Sequence, residues 1–250
     1  VIVSPLEQFE VVELVGIRLW GLDVSLTNAS IMMCVSAGLI VGLSMMVGRE
    51  GGKLIPGRWQ SVMEGVYKMV VGMVYESIGK EGGKYVGYVY TVMVLILVMN
   101  VLGLIPYSYT VTSHLVVTLV LAIGVWVGKL VVGIKRHGWR LFGMFIPGGT
   151  PFGMVPFFVF VEVIGFVIPM ISLAVRLFAN MMAGHILLKV LFGFAWSMMM
   201  AGGILYVGHY VPLIVLYLLF GLETAVALIQ AYVFGLLTCI YIGDMESGGH

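Results

Sequence analysis

A chain of 250 residues that is 61% hydrophobic and only 10% charged cannot be an ordinary soluble domain, where about a quarter of the residues carry charge. It is long enough for several helices that span or lie within a bilayer. A net charge of +1, with no basic stripe interleaved with aromatics, excludes nucleic acid as a partner.

The sequence opens on the acidic stretch SPLEQFEVVE. It shows neither the charged region, short apolar core and cleavage site of a signal peptide nor the arginine enrichment of a transit peptide. Residues 29–47 form the first expected transmembrane helix, close to the length a bilayer requires. The stretch 58–80 carries Glu64, Lys68 and Glu76 among regularly spaced apolar residues. Too charged for a span, it predicts an amphipathic helix at the membrane interface. Residues 85–134 predict a transmembrane hairpin joined by the uncharged turn YSYTVTS. Two apolar stretches follow, 153–200 and 203–243, each long enough for two ordinary spans. Either four short spans lie there, or two long helices run strongly tilted through the membrane. The fold class is an all-α polytopic membrane protein, with residues 1–250 forming a single membrane domain.

Loop charge orients this layout. Arg49, Lys53, Arg58, Lys80, Lys84, Lys135, Arg136 and Arg140 follow the first and third spans, whereas the opposite side offers Glu7, Glu10, Glu13 and Asp23 against Arg18. The positive-inside rule turns the basic side toward the cytosol, or toward the matrix of an organelle of bacterial descent, and leaves the N-terminus outside. Cys34 and Cys239 lie in apolar segments at opposite ends of the chain, without the spacing of a metal site, and read as buried thiols.

From Gly153 to Ile242 the full charges are Glu162, Arg176, Lys189 and Glu223. A guanidinium cannot neutralise itself at physiological pH, and burying one in hydrocarbon costs from roughly 3 to more than 10 kcal/mol. Arg176 must therefore face protein or water. At about 100° per residue, Asn180 and Glu162 both lie about 40° around a helix from Arg176, in the same direction, with His185 on the opposite face. On the last helix Gln230 lies about 20° from Glu223, and Tyr241 returns almost to the same angle. One helix thus presents a cation with an amide, and the next an acid, an amide and a phenol. A proton-handling row fits this pattern; so, taken alone, does a buried Arg–Glu pair that only fixes helix register.

The segments SLAVRLFANMMAGH (172–185) and ETAVALIQAYVFGLL (223–237) resemble subunit a of rotary F-type ATP synthases. NVLGLIPYS (100–108), KRHGW (135–139) and PGGTPFGMVPFFVFVEVIG (147–165) agree with them, and SPLEQFE is similar to the start of mitochondrial versions, particularly fungal ones. The resemblance covers nearly the whole chain. It implies a stator in the mitochondrial inner membrane, with its N-terminus in the intermembrane space, that carries protons to and from a ring of c subunits. Subunit b of the peripheral stalk and other small Fo subunits would be its neighbours, with lipid around them. Two offset half-channels separated by an essential arginine would couple proton flow to rotation and ATP synthesis. Arg176 matches that arginine, Asn180 and Gln230 its polar neighbours, His185 and Glu223 the outer half-channel, and Glu162 and Asp244 the inner one. Tyr241 matches the path or a simple interfacial anchor. The two long stretches would be tilted helices packed on the ring. Bacterial members usually have an acid at the His185 position and a histidine at the Glu223 position; here the pair is exchanged. No cofactor, resident metal or catalytic centre is implied, and no GxxxxGK[ST] loop occurs.

Two departures stand out. Lys189 lies where relatives have an apolar residue or a histidine, and Lys129 occupies a position that is usually neutral. Lys129 reads as a snorkelling side chain whose ammonium reaches the interface. Two other classes fare worse. A secondary transporter predicts inverted repeats, and the halves do not resemble each other. An intramembrane hydrolase using Ser36, Ser172 or Ser197 with His185 or His209 lacks a GxSxG elbow.

Overall fold

The computed structural model describes residues 10–16, 18–19, 22–23, 25–49, 57–105, 108–138 and 154–247. Most of SPLEQFE, Lys53, Trp139, Arg140 and the segment 147–153 lie outside the described residues.

Two short antiparallel pairs precede the first helix, in a region for which the sequence patterns predict no element. Strand β1 (Glu13–Val15) pairs with β4 (Leu26–Thr27) and β2 (Arg18–Leu19) with β3 (Leu22–Asp23). The ribbon is tied to helix α1 (Asn28–Arg49) through Asn28. Its Oδ1 accepts from the amides of Val12 at 3.3 Å and Ala29 at 3.0 Å, and its Nδ2 donates to Glu10 O at 3.2 Å. Ser30 Oγ accepts from Thr27 N at 2.9 Å while Thr27 Oγ1 accepts from Ser30 N at 3.3 Å. This reciprocal pairing satisfies amides that a helix start otherwise leaves unbonded.

Helix α2 (Arg58–Ile78) is followed by a 3-10 turn, Lys80–Lys84. Helices α3 (Val86–Gly103) and α4 (Leu115–His137) form the next pair, with a second 3-10 turn, Val111–Ser113, between them in sequence. Helix α5 (Val155–Ala201) runs for 47 residues straight through Pro169. Gly202 and Gly203, at φ 70° and 62°, then turn the chain in a conformation that side chains with a Cβ rarely adopt. The short α6 (Ile204–Gly208) and the 38-residue α7 (Tyr210–Ser247) complete the chain.

Five helical stretches among the described residues are long and apolar enough to cross a membrane: Asn28–Gly48, Val86–Gly103, Leu115–His137, Val159–Ala201 and Leu205–Glu246. The protein is therefore all-α and polytopic. At 1.5 Å per residue α5 is roughly 70 Å long, more than twice the roughly 30 Å of a bilayer's hydrocarbon core, so it cannot stand upright within it.

The chain forms two compact units, one from Val1–Gly42, Leu95–Leu115 and Leu177–Ala231, the other from Leu43–Val94, Val116–Arg176 and Tyr232–His250. In the second unit α2 buries Val70, Met73 and Val74 against Val86, Val89 and Met93 of α3 and Cys239 and Ile242 of α7. The three- and four-residue spacings put these side chains on one face of each helix, where close van der Waals packing joins the helices. In the first unit a smaller cluster joins Leu104, Met181 and Ala227. Cys239 is fully buried, but Cys34 is exposed on α1, contrary to the expectation that both thiols are buried. The reason is that α1 is exposed over nearly its whole length, so an apolar position there faces outward instead of into a core.

Candidate functional site

In the first unit, four polar side chains are brought together in pairs. Asn180 Nδ2 on α5 donates to Gln230 Oε1 on α7 at 3.1 Å. His185 Nε2 lies 3.8 Å from Glu223 Oε1, with the two side chains 12% and 6% exposed. That separation is too long for a hydrogen bond but short enough for an ion pair, or for one bridging water after a small adjustment. Neither Glu223 oxygen has a hydrogen-bond partner, nor does His185 Nε2 or Gln230 Nε2, although all four atoms are buried.

Local sequence explains how Glu223 fits. A Cβ on Gly184 would lie 2.5 Å from Glu223 Oε1, so any larger residue before His185 would make the Glu223 carboxylate shift. Asn100 on α3 adds a third helix to the group, donating from Nδ2 to Ala227 O at 3.2 Å while its Oδ1 stays buried without a partner. Thr110 and Thr112 likewise bury side-chain hydroxyls that lack partners. Each such orphaned atom costs about 1–3 kcal/mol if it stays dry. Lys189 acts electrostatically on His185. Neither Gly184 nor Asn100 was assigned a role from sequence. Asn100 had a signal, a lone amide in an apolar helix; Gly184 had none apart from adjoining His185.

In the second unit Arg176 is exposed. Among the described residues it makes no hydrogen bond or ion pair, and its charge acts on Tyr241. The ring of Tyr241 lies 5.2 Å from Lys129 Nζ, which also sits 4.1 Å above the ring of Phe166. Lys129 is only 8% exposed, so it does not snorkel to the surface; the two aromatic faces hold its ammonium inside the unit. Glu162 on α5 and Asp244 on α7 are both exposed, and both act on the Lys129 charge. A cavity of about 10 Å³, room for one water, is lined by Trp126, Lys129, Phe166 and Tyr241. A wider cavity of about 340 Å³ is lined by Asp244 together with Lys80, Glu81, Arg136 and Glu246. Around it, Glu246 pairs with Arg136 at 3.5 Å and accepts from Tyr85 Oη at 3.1 Å, and Arg136 also approaches Glu81 at 3.7 Å. Lys84, hydrogen-bonded at 3.3 Å, and then Arg136 hold Glu81 below the usual carboxylate range.

The hydrolase reading finds no support in this geometry. Ser36 and Ser197 donate to the carbonyls of Met33 and Gly193 in their own helices, at 2.7 and 2.9 Å, and His209 Nδ1 donates to Tyr206 O. Among the described residues no group of three or more His, Cys, Asp or Glu side chains is placed to hold a metal.

Buried acid, imidazole and amide groups, together with an exposed guanidinium, all set in helices made for hydrocarbon, define the chain as a polytopic membrane protein with ionisable groups held inside its spans. Comparison with known proteins supplies the family. The ATP synthase A chain family matches residues 30–243. The chain is 47% identical to ATP synthase subunit a of Pylaiella littoralis, over 96% of this chain and 97% of the relative. It is 42% identical to those of Chondrus crispus (98% and 96% covered) and Marchantia polymorpha (96% and 97% covered). The chain belongs to the ATP synthase subunit a family.

Proposed function

We propose that this chain is the proton-conducting stator subunit of an F-type ATP synthase of the mitochondrial inner membrane, with its N-terminus in the intermembrane space. His185 and Glu223 serve a half-channel from the outer side, Glu162 and Asp244 serve one from the matrix side, and Asn180 and Gln230 are the polar neighbours of Arg176. Arg176 faces the carboxylates of a ring of c subunits, with subunit b and other Fo subunits alongside. The observation that carries this reading is the His185–Glu223 pair: a buried acid and imidazole at 3.8 Å, with the facing atoms unspent on any hydrogen bond. A pair that served only to fix register would be stabilised by satisfying those atoms. A pair that passes protons needs them available to water.

A ring carboxylate facing lipid has to be protonated, because an isolated carboxylate in hydrocarbon is prohibitively costly. Beside this subunit it can ionise, because Arg176 supplies a compensating charge and the half-channels supply water. The guanidinium neither releases nor accepts a proton at working pH, so it blocks direct passage and obliges protons to travel with the ring. Nucleotide chemistry is left to other chains. The exposure of Arg176 suits this role, since its partner charge comes from outside the chain.

The test is ATP synthesis in vesicles energised by a pH gradient. Arg176→Ala should abolish synthesis while the complex still assembles. Arg176→Lys should also lose most of it, because an ammonium is compact, strongly hydrated and able to shed its proton when desolvated. Near-normal synthesis by the alanine variant overturns the reading.

A further inference from the structure

We propose that His137, with Arg136 beside it, is a positioning residue for Asp244: the end of α4 grips the last turn of α7 next to that aspartate and so sets it on the wall of the cavity from which matrix protons reach it. This rests on the reading of Asp244 as part of the inner path. It also gives the KRHGW segment, 135–139, a physical task.

Helix ends explain why the grip falls here. Gly138, at φ 56°, takes a conformation that favours glycine and stops α4 immediately after His137. Helix α7 ends at Ser247, so the carbonyl of Met245 lies in its last turn, where the helix supplies no amide of its own. His137 Nε2 donates to that carbonyl at 3.0 Å. One residue further on, Glu246 pairs with Arg136 at 3.5 Å and accepts from Tyr85 Oη at 3.1 Å. On the other side of Asp244, a Cβ on Gly243 would lie 2.8 Å from Ser77 O, so α2 and α7 approach closely there. Gly243 and Met245 are buried while Asp244 between them is exposed.

The neighbours of the aspartate in the chain are therefore held from three directions, and Asp244 is placed through them. It shares the cavity of about 340 Å³ with Ser77 of α2, Lys80 and Glu81 of the 3-10 turn, Arg136 of α4 and Glu246 of α7. Its charge also acts on Lys129 of α4 and Tyr241 of α7. Helix ends fray when their carbonyls go unsatisfied, and an aspartate on a fraying turn has no fixed place among these groups. The imidazole N–H removes that freedom without touching the carboxylate itself.

The experiment uses the complete ATP synthase reconstituted in vesicles with its matrix face outward. ATP-driven proton pumping is recorded while the pH is varied on the matrix face or on the opposite face. His137→Leu should raise the matrix-side proton concentration for half-maximal pumping by about threefold to tenfold, the equivalent of one neutral hydrogen bond. Its maximal rate should stay within about twofold of wild type, because no proton-carrying group is removed. The dependence on pH at the opposite face should not change. His137→Gln, which keeps an N–H donor, should restore the wild-type matrix-side dependence. An unshifted matrix-side dependence in His137→Leu overturns the proposal, as does equal behaviour of the Gln and Leu variants, which would leave the donor without a role. If His137→Leu does not assemble, His137→Ala carries the same comparison. Asp244→Asn in the wild-type background tests the underlying reading separately. Wild-type pumping at every matrix-side pH in that variant sinks the assignment of Asp244 to the inner path, whereas altered pumping there with no shift in His137→Leu sinks only the role of His137.

Discussion

Helix α7 carries two nearly buried glutamates that live very different lives. In the second unit Glu246, its side chain 10% exposed, accepts from Tyr85 and pairs with Arg136. In the first, Glu223 is 6% exposed, and neither of its oxygens has a hydrogen bond; the imidazole of His185 stands at 3.8 Å. Burial is almost the same, so burial alone assigns neither acid a role. What distinguishes them is whether the buried atoms are already spoken for. A satisfied carboxylate holds elements together, whereas an unsatisfied one beside an imidazole is available to exchange a proton.

The widest gap between the two acids should appear in proton flux. Glu223→Gln should slow driven flux by about a hundredfold, the lower end of what a positioned acid–base group contributes, with passive leak still low because Arg176 remains. Glu246→Gln should leave flux within about twofold of wild type, since partly exposed ion pairs are worth little. Flux measured against pH for Glu223→Gln, His185→Ala and the double variant sharpens the point. If the pair is one relay, the double variant should be no worse than the more severe single one. Simple additivity at every pH would mean two independent residues.

A smaller effect is expected from crowding the same acid. Gly184→Ala places a Cβ where Glu223 Oε1 now lies, at 2.5 Å, and overpacking of this kind destabilises by about 1–3 kcal/mol. Flux should drop several-fold and the assembled complex should melt earlier in a thermal ramp. Wild-type behaviour in both assays would mean that Glu223 can move aside, and that its confinement is not part of its function.

The smallest effect belongs to the well-supplied network. Glu81 is held below its usual value of 4.5 by Lys84 and Arg136, so its contribution to the 3-10 turn is present above that pH and is lost as the pH falls through the lower value in the folded state. Hydrogen exchange of the Lys80–Tyr85 amides, corrected for intrinsic rates, should be unchanged between pH 7 and pH 5 and slightly faster near pH 3. Faster exchange already at pH 5 would contradict the assigned direction.

Much of the architecture could be read from apolar length alone, because a membrane accepts little besides long apolar helices. Pattern alone does not say whether 153–200 is one helix or two, since Pro169 is compatible with either; α5 continues through it. Side-chain pairing was less legible. Helical spacing put Gln230 near the Glu223 face, but the bond from Asn180 to Gln230 depends on how two helices pack. The place of Lys129 is not legible because a lysine in an apolar helix looks the same in sequence whether its ammonium reaches the surface or ends on Phe166 and Tyr241. Cys34 is the converse case: in a membrane protein an apolar neighbourhood in sequence does not mean a buried one.

Helix α5 can also be regarded as a mechanical member. An unbroken α-helix is a stiff rod because every backbone amide braces the turn before it, but Pro169 has no N–H to give to the carbonyl of Gly165. That one missing rung concentrates compliance between Gly165 and Pro169, seven residues ahead of Arg176. Sideways thrust on the exposed guanidinium would then be taken up by bending at the proline, while the stretch that carries the charge keeps its own shape under load.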